Sequence, residues 1–458
     1  MKTAVSVNGV APTISKKEFA ERRQTFISKL LPNSVAFITS NAEHTRSNDT
    51  EFPFRQSSDV LYLSDFPEPQ SVVILSNVEG LPEYSMVVRP KDRTREIWTG
   101  RRFGPEGAKK EFQADETYTV DQFPKILGDF VSKAENVYYR FGRNTEFDSW
   151  FNFEWVKLSR PLHNPELLCH EMRMVKSAQE LQLMRYAAGI SAKAHRQAMH
   201  ICKPGLKEYQ IQAELEHIFM SDGARSPAYG SIVAGGVNAV ILHYVENSHA
   251  LKDGELLLID AACEYRGYAS DITRTFPING KFSKAQRDIY DLVLNAQIKA
   301  IEVAKPKVTL AQLHETASVV LREGLIELGV LSEEAGTAES EKAALEKAKS
   351  KNKESELVCL KDLFMHGTSH WLGLDVHDVG TIGTRSELAK TLPMKPGMVF
   401  TVEPGLYFDP DDTRLPEKYR GIGIRIEDDV LITKSGHEVL TSNAPKDRAA
   451  IERLMRLR

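Results

Sequence analysis

Four acidic side chains place the strongest constraint on how this chain can fold. Asp260, Asp271, Glu403 and Glu427 each stand within, or at the end of, a strand-like apolar run: Leu256–Asp260, Tyr268–Phe276, Met398–Glu403 and Ile422–Thr433. Runs of that kind bury at least one face. Four ionised carboxylates cannot leave water uncompensated. Two divalent cations would balance the four negative charges and let the acids converge.

Local spacing supports convergence. A turn-prone Tyr-Arg-Gly step separates Asp260 from Asp271. With Tyr265 and Arg266 as the central turn residues, the two aspartates lie directly opposite each other on one face of a β-ribbon, Cβ atoms ~4.5–5.5 Å apart. Arg425, two residues before Glu427, shares its face. The segment Lys252-Asp-Gly-Glu-Leu-Leu-Leu-Ile-Asp260 is echoed by Lys395-Pro-Gly-Met-Val-Phe-Thr-Val-Glu403. Each has a turn, an apolar strand and a carboxylate, and a second acid-bearing strand follows each. The echo predicts two similar half-units meeting at a shared site.

Histidines complete the pattern. His366, His370 and His377 fall within twelve positions among Gly, Trp and aliphatic residues, and His243 sits in Ile-Leu-His243-Tyr. A site of oxygen ligands with one imidazole suits Mn²⁺ better than a structural zinc, with Zn, Co and Fe as alternatives.

The remaining chain predicts an α/β (α+β) protein of two domains, 1–172 and 173–458. The first domain reads as a helix over Lys16–Leu31 capped by Ser15, strands at Ser34–Thr39, Ser71–Leu75 and Glu83–Val88, and helical patches near Val120–Lys133. The second reads as helices over Ala178–Met199, Tyr209–Ser221, Lys284–Ala304 and Leu310–Leu328, with the acid-bearing strands among them. Ser332–Glu356, rich in Ala, Glu, Lys and Ser, has no apolar stripe and reads as a solvated helix or a flexible insertion. With 59 Lys and Arg against 63 Asp and Glu, the net charge of −4 argues against a nucleic-acid partner. No apolar run approaches the ~20 residues of a membrane span. The amino terminus lacks a signal-peptide core. Four scattered cysteines, Cys169, Cys202, Cys263 and Cys359, read as reduced packing residues. These features predict a cytoplasmic enzyme that does not engage membranes.

The motifs together resemble the pita-bread metallopeptidases, and within them the aminopeptidase P family. In the catalytic half the resemblance rests on Ile-Leu-His243-Tyr, Leu-Ile-Asp260-Ala, Ser-Asp271-Ile-Thr-Arg-Thr-Phe, Met-His366-Gly-Thr-Ser-His370-Trp-Leu-Gly-Leu-Asp-Val-His377-Asp, Thr-Val-Glu403-Pro-Gly-Leu-Tyr and Gly-Ile-Arg425-Ile-Glu427-Asp. In the amino-terminal half it rests on Thr45-Arg46-Ser47, Phe54-Arg55-Gln56-Ser57-Ser58-Asp59 and Glu96-Ile97-Trp98-Thr99-Gly100-Arg101-Arg102. The 332–356 insertion departs from the family pattern.

The resemblance implies a pita-bread catalytic domain with pseudo-twofold halves behind an α/β creatinase-like domain serving oligomerisation and substrate access. It implies a dinuclear site in which Asp260 chelates one metal, Asp271 and Glu427 bridge both, and His370 and Glu403 complete the second. His243, His366 and His377 fall on substrate-handling positions. Arg425 falls on an arginine that orients a ligand carboxylate. Trp98 resembles an aromatic that can reach a neighbouring subunit's active site. The implied activity is hydrolysis of the bond between an amino-terminal residue and a following proline by metal-bridged hydroxide, in a homodimer or homotetramer. Glu403 would be both ligand and general base, and His377 would stabilise the oxyanion. A prolidase acting on Xaa-Pro dipeptides is the alternative within enzymes. A non-catalytic pita-bread binding module, or a metal-free creatinase-like hydrolase, is the alternative outside metallopeptidases.

Overall fold

A computed structural model describes residues 11–350, 357–379 and 390–457. The chain divides into two compact units, Thr13–Arg173 and one that runs from Met174 onward.

In the first unit, Ser34–Thr39, Val72–Ser76 and Tyr84–Val88 are buried along their whole length, as unbroken β-branched and apolar runs covered on both faces must be. They form the middle of a six-stranded mixed sheet in the order Glu116–Thr119, Tyr84–Val88, Val72–Ser76, Ser34–Thr39, Asn136–Tyr138, Leu162–His163. The helix Lys16–Lys29 starts at Ser15, whose side chain accepts from the Glu18 N–H. The helices Phe123–Lys133 and Thr145–Leu158 bury Phe123, Phe130, Phe147 and Phe151 against Phe37 of the sheet.

The second unit repeats one plan: a helix pair, then antiparallel strands. Ala178–Ile201 packs on Glu208–Ser221, and Lys284–Val303 on Leu310–Glu327. Ser177 with Glu180, Ser283 with Gln286 and Thr309 with Gln312 form capping boxes that fix three of these starts. After the first pair, Leu256–Asp260 lies between Ile232–Gly235 and Thr273–Pro277. After the second, Val399–Val402 pairs with Asp428–Ile432, which also pairs with His437–Val439. Gly405–Tyr407 pairs with Gly423–Arg425 to continue that hairpin.

Two expected strands are interrupted. The 268–276 run separates into Tyr268–Ala269 and Thr273–Pro277, and the 422–433 run into Gly423–Arg425 and Asp428–Ile432. The second break has a visible cause. The Glu427 N–H donates to the Thr273 carbonyl of the other hairpin at 3.1 Å and so leaves its own ladder.

The insertion contains a helix, Ala338–Ser350, that is largely exposed except at Glu341, which pairs with Arg322 and accepts from the Leu360 N–H; residues 351–356 lie outside the described residues. All four cysteines are buried free thiols. Among the described residues, no helix is long and apolar enough to cross a membrane.

Candidate metal centre

The first hairpin brings Asp260 and Asp271 onto one face, in a register different from the expected one. Tyr265 pairs with Tyr268 and Glu264 with Ala269, so Arg266 and Gly267 are the central turn residues, with φ of 50° and 86°. This tight hairpin turn needs positive φ at both positions; Gly accepts it freely and a bulky Tyr resists it. Asp260 consequently faces Thr273, not Asp271. The slip is by two residues, which preserves the face. The two aspartates are diagonal neighbours, and the Tyr229 hydroxyl lies 2.7 Å from Asp260 Oδ1 and 2.5 Å from Asp271 Oδ1.

The second hairpin supplies the direct opposition instead. Val402 faces Asp428 and Gly405 faces Arg425, so in the same register Glu403 lies opposite Glu427. Thr273 stitches the hairpins together: its hydroxyl donates to Glu427 Oε2 at 2.7 Å and accepts from Arg425 Nε at 3.1 Å.

His370 enters beside the Val399–Val402 strand, its N–H donating to Thr401 Oγ1 and its carbonyl accepting from the Thr401 N–H. Its Nδ1 lies 3.1 Å from the Trp371 carbonyl, which turns Nε2 toward the acids. Nε2 is 3.4 Å from Asp271 Oδ2, 3.6 Å from Glu403 Oε1 and 3.9 Å from Glu427 Oε1. Asp271, His370 and Glu427 each offer a ligand atom, all within 4.8 Å of one another.

Arg425 joins Asp260 to a neighbouring cluster. Its guanidinium donates to Asp260 Oδ2 at 2.7 Å and to the Tyr407 hydroxyl at 2.8 Å. Tyr407 Oη is also 2.8 Å from His366 Nε2, and His366 Nδ1 is 3.5 Å from Glu403 Oε2. Gly405 makes room here, since a Cβ on it would stand 2.5 Å from the Tyr407 hydroxyl.

The structure thus brings together Asp260, Asp271, His366, His370, Glu403, Arg425 and Glu427. His377 is exposed, its ring edge-on to His370 with centroids 4.4 Å apart. His243 is exposed on the segment after the turn Gly236–Val240. That turn packs on Gly423, where a Cβ would meet the Ala239 carbonyl oxygen at 2.2 Å. Trp98 belongs to the first unit, in the helix Arg93–Thr99, and is 85% exposed. Sequence reasoning did not single out Tyr229. Nothing in Ala228-Tyr229-Gly230 marks it, because its partners lie 31 and 42 residues away. Tyr407 was legible in principle: in the Gly405–Arg425 register it stands diagonal to Arg425 on one face.

The electrostatics fit divalent cations. One hydroxyl proton on Tyr229 cannot serve two carboxylates, and two cationic side chains, Arg425 and His370, face four acids. Burial raises the Glu403 carboxyl to about 7, with Asp271 and Asp260 adding to it against the pull of His370 and Arg425. Burial, then the neighbouring acids, likewise pushes Glu427 well up. Burial opposes the charge on His370, yet Asp271 and Glu403 lift it to about 9. His366 moves the other way, to about 3, through burial and the charge of Arg425. Carboxylates held this far from their ordinary range, facing imidazole at ligand-like distances, are a donor set short of positive charge.

Comparison with known proteins agrees with this chemistry. Residues 182–434 match metallopeptidase family M24, and residues 19–138 match the aminopeptidase P N-terminal domain. The chain is 41% identical over 454 residues to the Xaa-Pro aminopeptidase of Escherichia coli (strain K12), covering 96% of this chain and 98% of that protein. Zinc-substituted E. coli aminopeptidase P in complex with product superposes with a TM-score of 0.88 at 39% identity, covering 97% and 99% of the two chains. An aminopeptidase of Pseudomonas aeruginosa superposes at 0.87 with 42% identity, covering 97% and 98%. The acid-bearing strands, the histidine segment and these matches establish that the chain belongs to metallopeptidase family M24, in the branch that carries the aminopeptidase P N-terminal domain.

Proposed function

We propose that this chain is a metal-dependent aminopeptidase that hydrolyses the bond between an amino-terminal residue and a following proline. One observation carries the reading: Asp260, Asp271, Glu403 and Glu427 converge from two stitched hairpins with His370 beside them, in a chain similar over nearly its full length to Xaa-Pro aminopeptidases.

The bond before proline is a tertiary amide without an N–H. An enzyme acting on it must work through the carbonyl and the free amino terminus. Those five residues would hold a pair of divalent cations, with Mn²⁺ our proposed pair on the strength of the oxygen-rich donor set. Bound there, such a pair supplies a water of lowered pKa and polarises the scissile carbonyl.

The protein's own groups divide the rest of the work. Glu403 is the most exposed of the four acids, its side chain 17% accessible against 13% for Asp260, 6% for Asp271 and 2% for Glu427. That exposure supports its role in accepting a proton from water and returning it to the departing proline nitrogen. His377, exposed beside His370, stabilises negative charge developing on the carbonyl oxygen. His243 holds the peptide backbone. His366, kept neutral and fixed by Tyr407, lines the proline side. Arg425 holds Asp260 in orientation. The amino-terminal unit serves assembly and access, with Trp98 reaching a neighbouring subunit in a homodimer or homotetramer. Four buried free thiols support a cytoplasmic location.

The test is turnover of an Xaa-Pro-Xaa tripeptide and an Xaa-Pro dipeptide by metal-depleted protein, with and without added Mn²⁺. Mn²⁺-dependent release of the first residue from the tripeptide is expected. Preference for the dipeptide would indicate a prolidase, and no turnover of either with Mn²⁺ would overturn the reading.

A further inference from the structure

Glu427 is followed by two more acids, Asp428 and Asp429, and both are deeply buried, 0% and 1% exposed. They point to opposite sides of their strand, as successive residues must, and each holds something different.

Asp428 accepts four hydrogen bonds. Its Oδ1 takes Arg274 at 2.6 Å and the Thr441 hydroxyl at 2.7 Å, and its Oδ2 takes Lys446 at 2.7 Å and Gln297 at 2.8 Å. Arg274, itself wholly buried, passes the contact on. It donates to the Glu427 carbonyl at 2.5 Å and the Thr273 carbonyl at 2.9 Å. Asp429 grips the other hairpin, accepting from the Ser270 hydroxyl at 2.8 Å and the Asp271 N–H at 3.1 Å. Thr441 joins the two acids: while its hydroxyl donates to Asp428, it accepts from the Asp429 N–H at 3.1 Å.

One connected set of buried groups therefore grips the backbone of Asp271 at one end and of Glu427 at the other. Among the described residues, their hydrogen bonds run to backbone groups, to Ser270, Gln297 and Lys446, and to one another, and not to a carboxylate of the metal site. Well-packed apolar side chains of the same volume often serve stability as well as buried ion pairs do, so fold stability is a weak reason for the arrangement. Resting on the metallopeptidase reading above, we propose that Arg274, Asp428, Asp429 and Thr441 are positioning residues. They form a clamp that fixes the separation of Asp271 and Glu427, and so set how tightly the cation pair is held.

The experiment measures Mn²⁺ stoichiometry and affinity by equilibrium dialysis of the full chain, beside unfolding of the metal-depleted protein and steady-state kinetics. Thr441→Val removes the hydroxyl at nearly constant volume, and Thr441→Ser keeps it. Thr441→Val should weaken Mn²⁺ binding about 10- to 100-fold. It should lower kcat at limiting Mn²⁺ with KM for an Xaa-Pro-Xaa peptide unchanged, and recover as Mn²⁺ is raised. Thr441→Ser should bind as the unsubstituted protein does. Lys446→Met, at the partly exposed rim of the network, should shift affinity in the same direction by less, and serves if Thr441→Val does not fold. Unchanged Mn²⁺ affinity and stoichiometry in folded Thr441→Val, or in Lys446→Met where that variant has to serve, would overturn the clamp while leaving the metallopeptidase reading intact. If the unsubstituted protein bound no divalent cation, both would fall.

Discussion

At the residue scale, three acids of the metal site are each held by a polar partner, Asp260 by Arg425, Asp271 by Tyr229 and Glu427 by Thr273. Asp260, Asp271, Glu403 and Glu427 stand out because a carboxylate in an apolar strand is incongruous and demands a counter-charge. Replacing Asp260 with Ala should abolish both peptide hydrolysis and full metal occupancy; metal analysis of the purified variant checks this, and two tightly retained cations would contradict its place as a ligand. Arg425 spans Asp260 and Tyr407 with two nitrogens of one planar fork. Lys carries its three donors on one nitrogen and lacks the planar fork that reaches Thr273, Tyr407 and Asp260 from separate nitrogens. Arg425→Lys should therefore cost about 10- to 100-fold in metal affinity or kcat/KM, read by Mn²⁺ titration of activity. Tyr229 escaped because a hydroxyl set between two acids distant in sequence leaves no trace in spacing or periodicity.

At the element scale, the parity of the strands was readable and the exact register was not. A turn centred on Tyr265-Arg266 and one centred on Arg266-Gly267 place the same residues on the same face, so the pattern of apolar and acidic positions cannot tell them apart. Backbone conformation decides, through the positive φ that Gly267 accepts. Gly267→Ala should cost about 1 kcal/mol, seen as a lower denaturation midpoint. Gly423→Ala should do more, because its Cβ would meet the Ala239 carbonyl oxygen at 2.2 Å. Backbone must move there, and loss of activity should accompany loss of stability. The helix Ala178–Ile201 carries a further titrating element. His195 is wholly buried, its Nε2 2.8 Å from the Ala261 carbonyl oxygen, and burial lowers it to about 4 against the pull of that carbonyl. The unfolded chain binds this proton below pH ~6.5 and the folded chain only near 4, so stability should fall as pH drops through that window. The loss is about 3 kcal/mol, and His195→Gln should flatten it in denaturant titrations run from pH 7 to pH 4.

At the scale of the whole molecule, the nine-residue echo carried more than its length suggested. Both copies proved to be strands entering antiparallel hairpins behind a helix pair, with an acid at the end of each. The places where the two halves differ were not legible. Among the described residues, Leu256–Asp260 has a strand on either side while Val399–Val402 has one strand and an isolated bridge from Trp371, and that depends on long-range pairing, not on the local pattern. The Ser332–Glu356 segment gave its helix, but the buried contacts of Glu341 with Arg322 and the Leu360 N–H could not be read from a stripe-free composition. For the amino-terminal unit, Trp98→Ala should leave folding and metal content untouched and lower kcat/KM for longer peptides, if a neighbouring subunit receives that ring; thermal unfolding and metal analysis provide the controls.

The threonine stitch between the hairpins has a consequence for how the polypeptide may be divided. Glu427 takes a hydroxyl from Thr273, and Arg274 takes its place against Asp428, so neither half can satisfy its interior alone. Severing the backbone within the exposed Ala338–Ser350 helix should yield two pieces that precipitate when made separately and regain activity when produced together, a split reporter whose reassembly is driven by shared polar contacts.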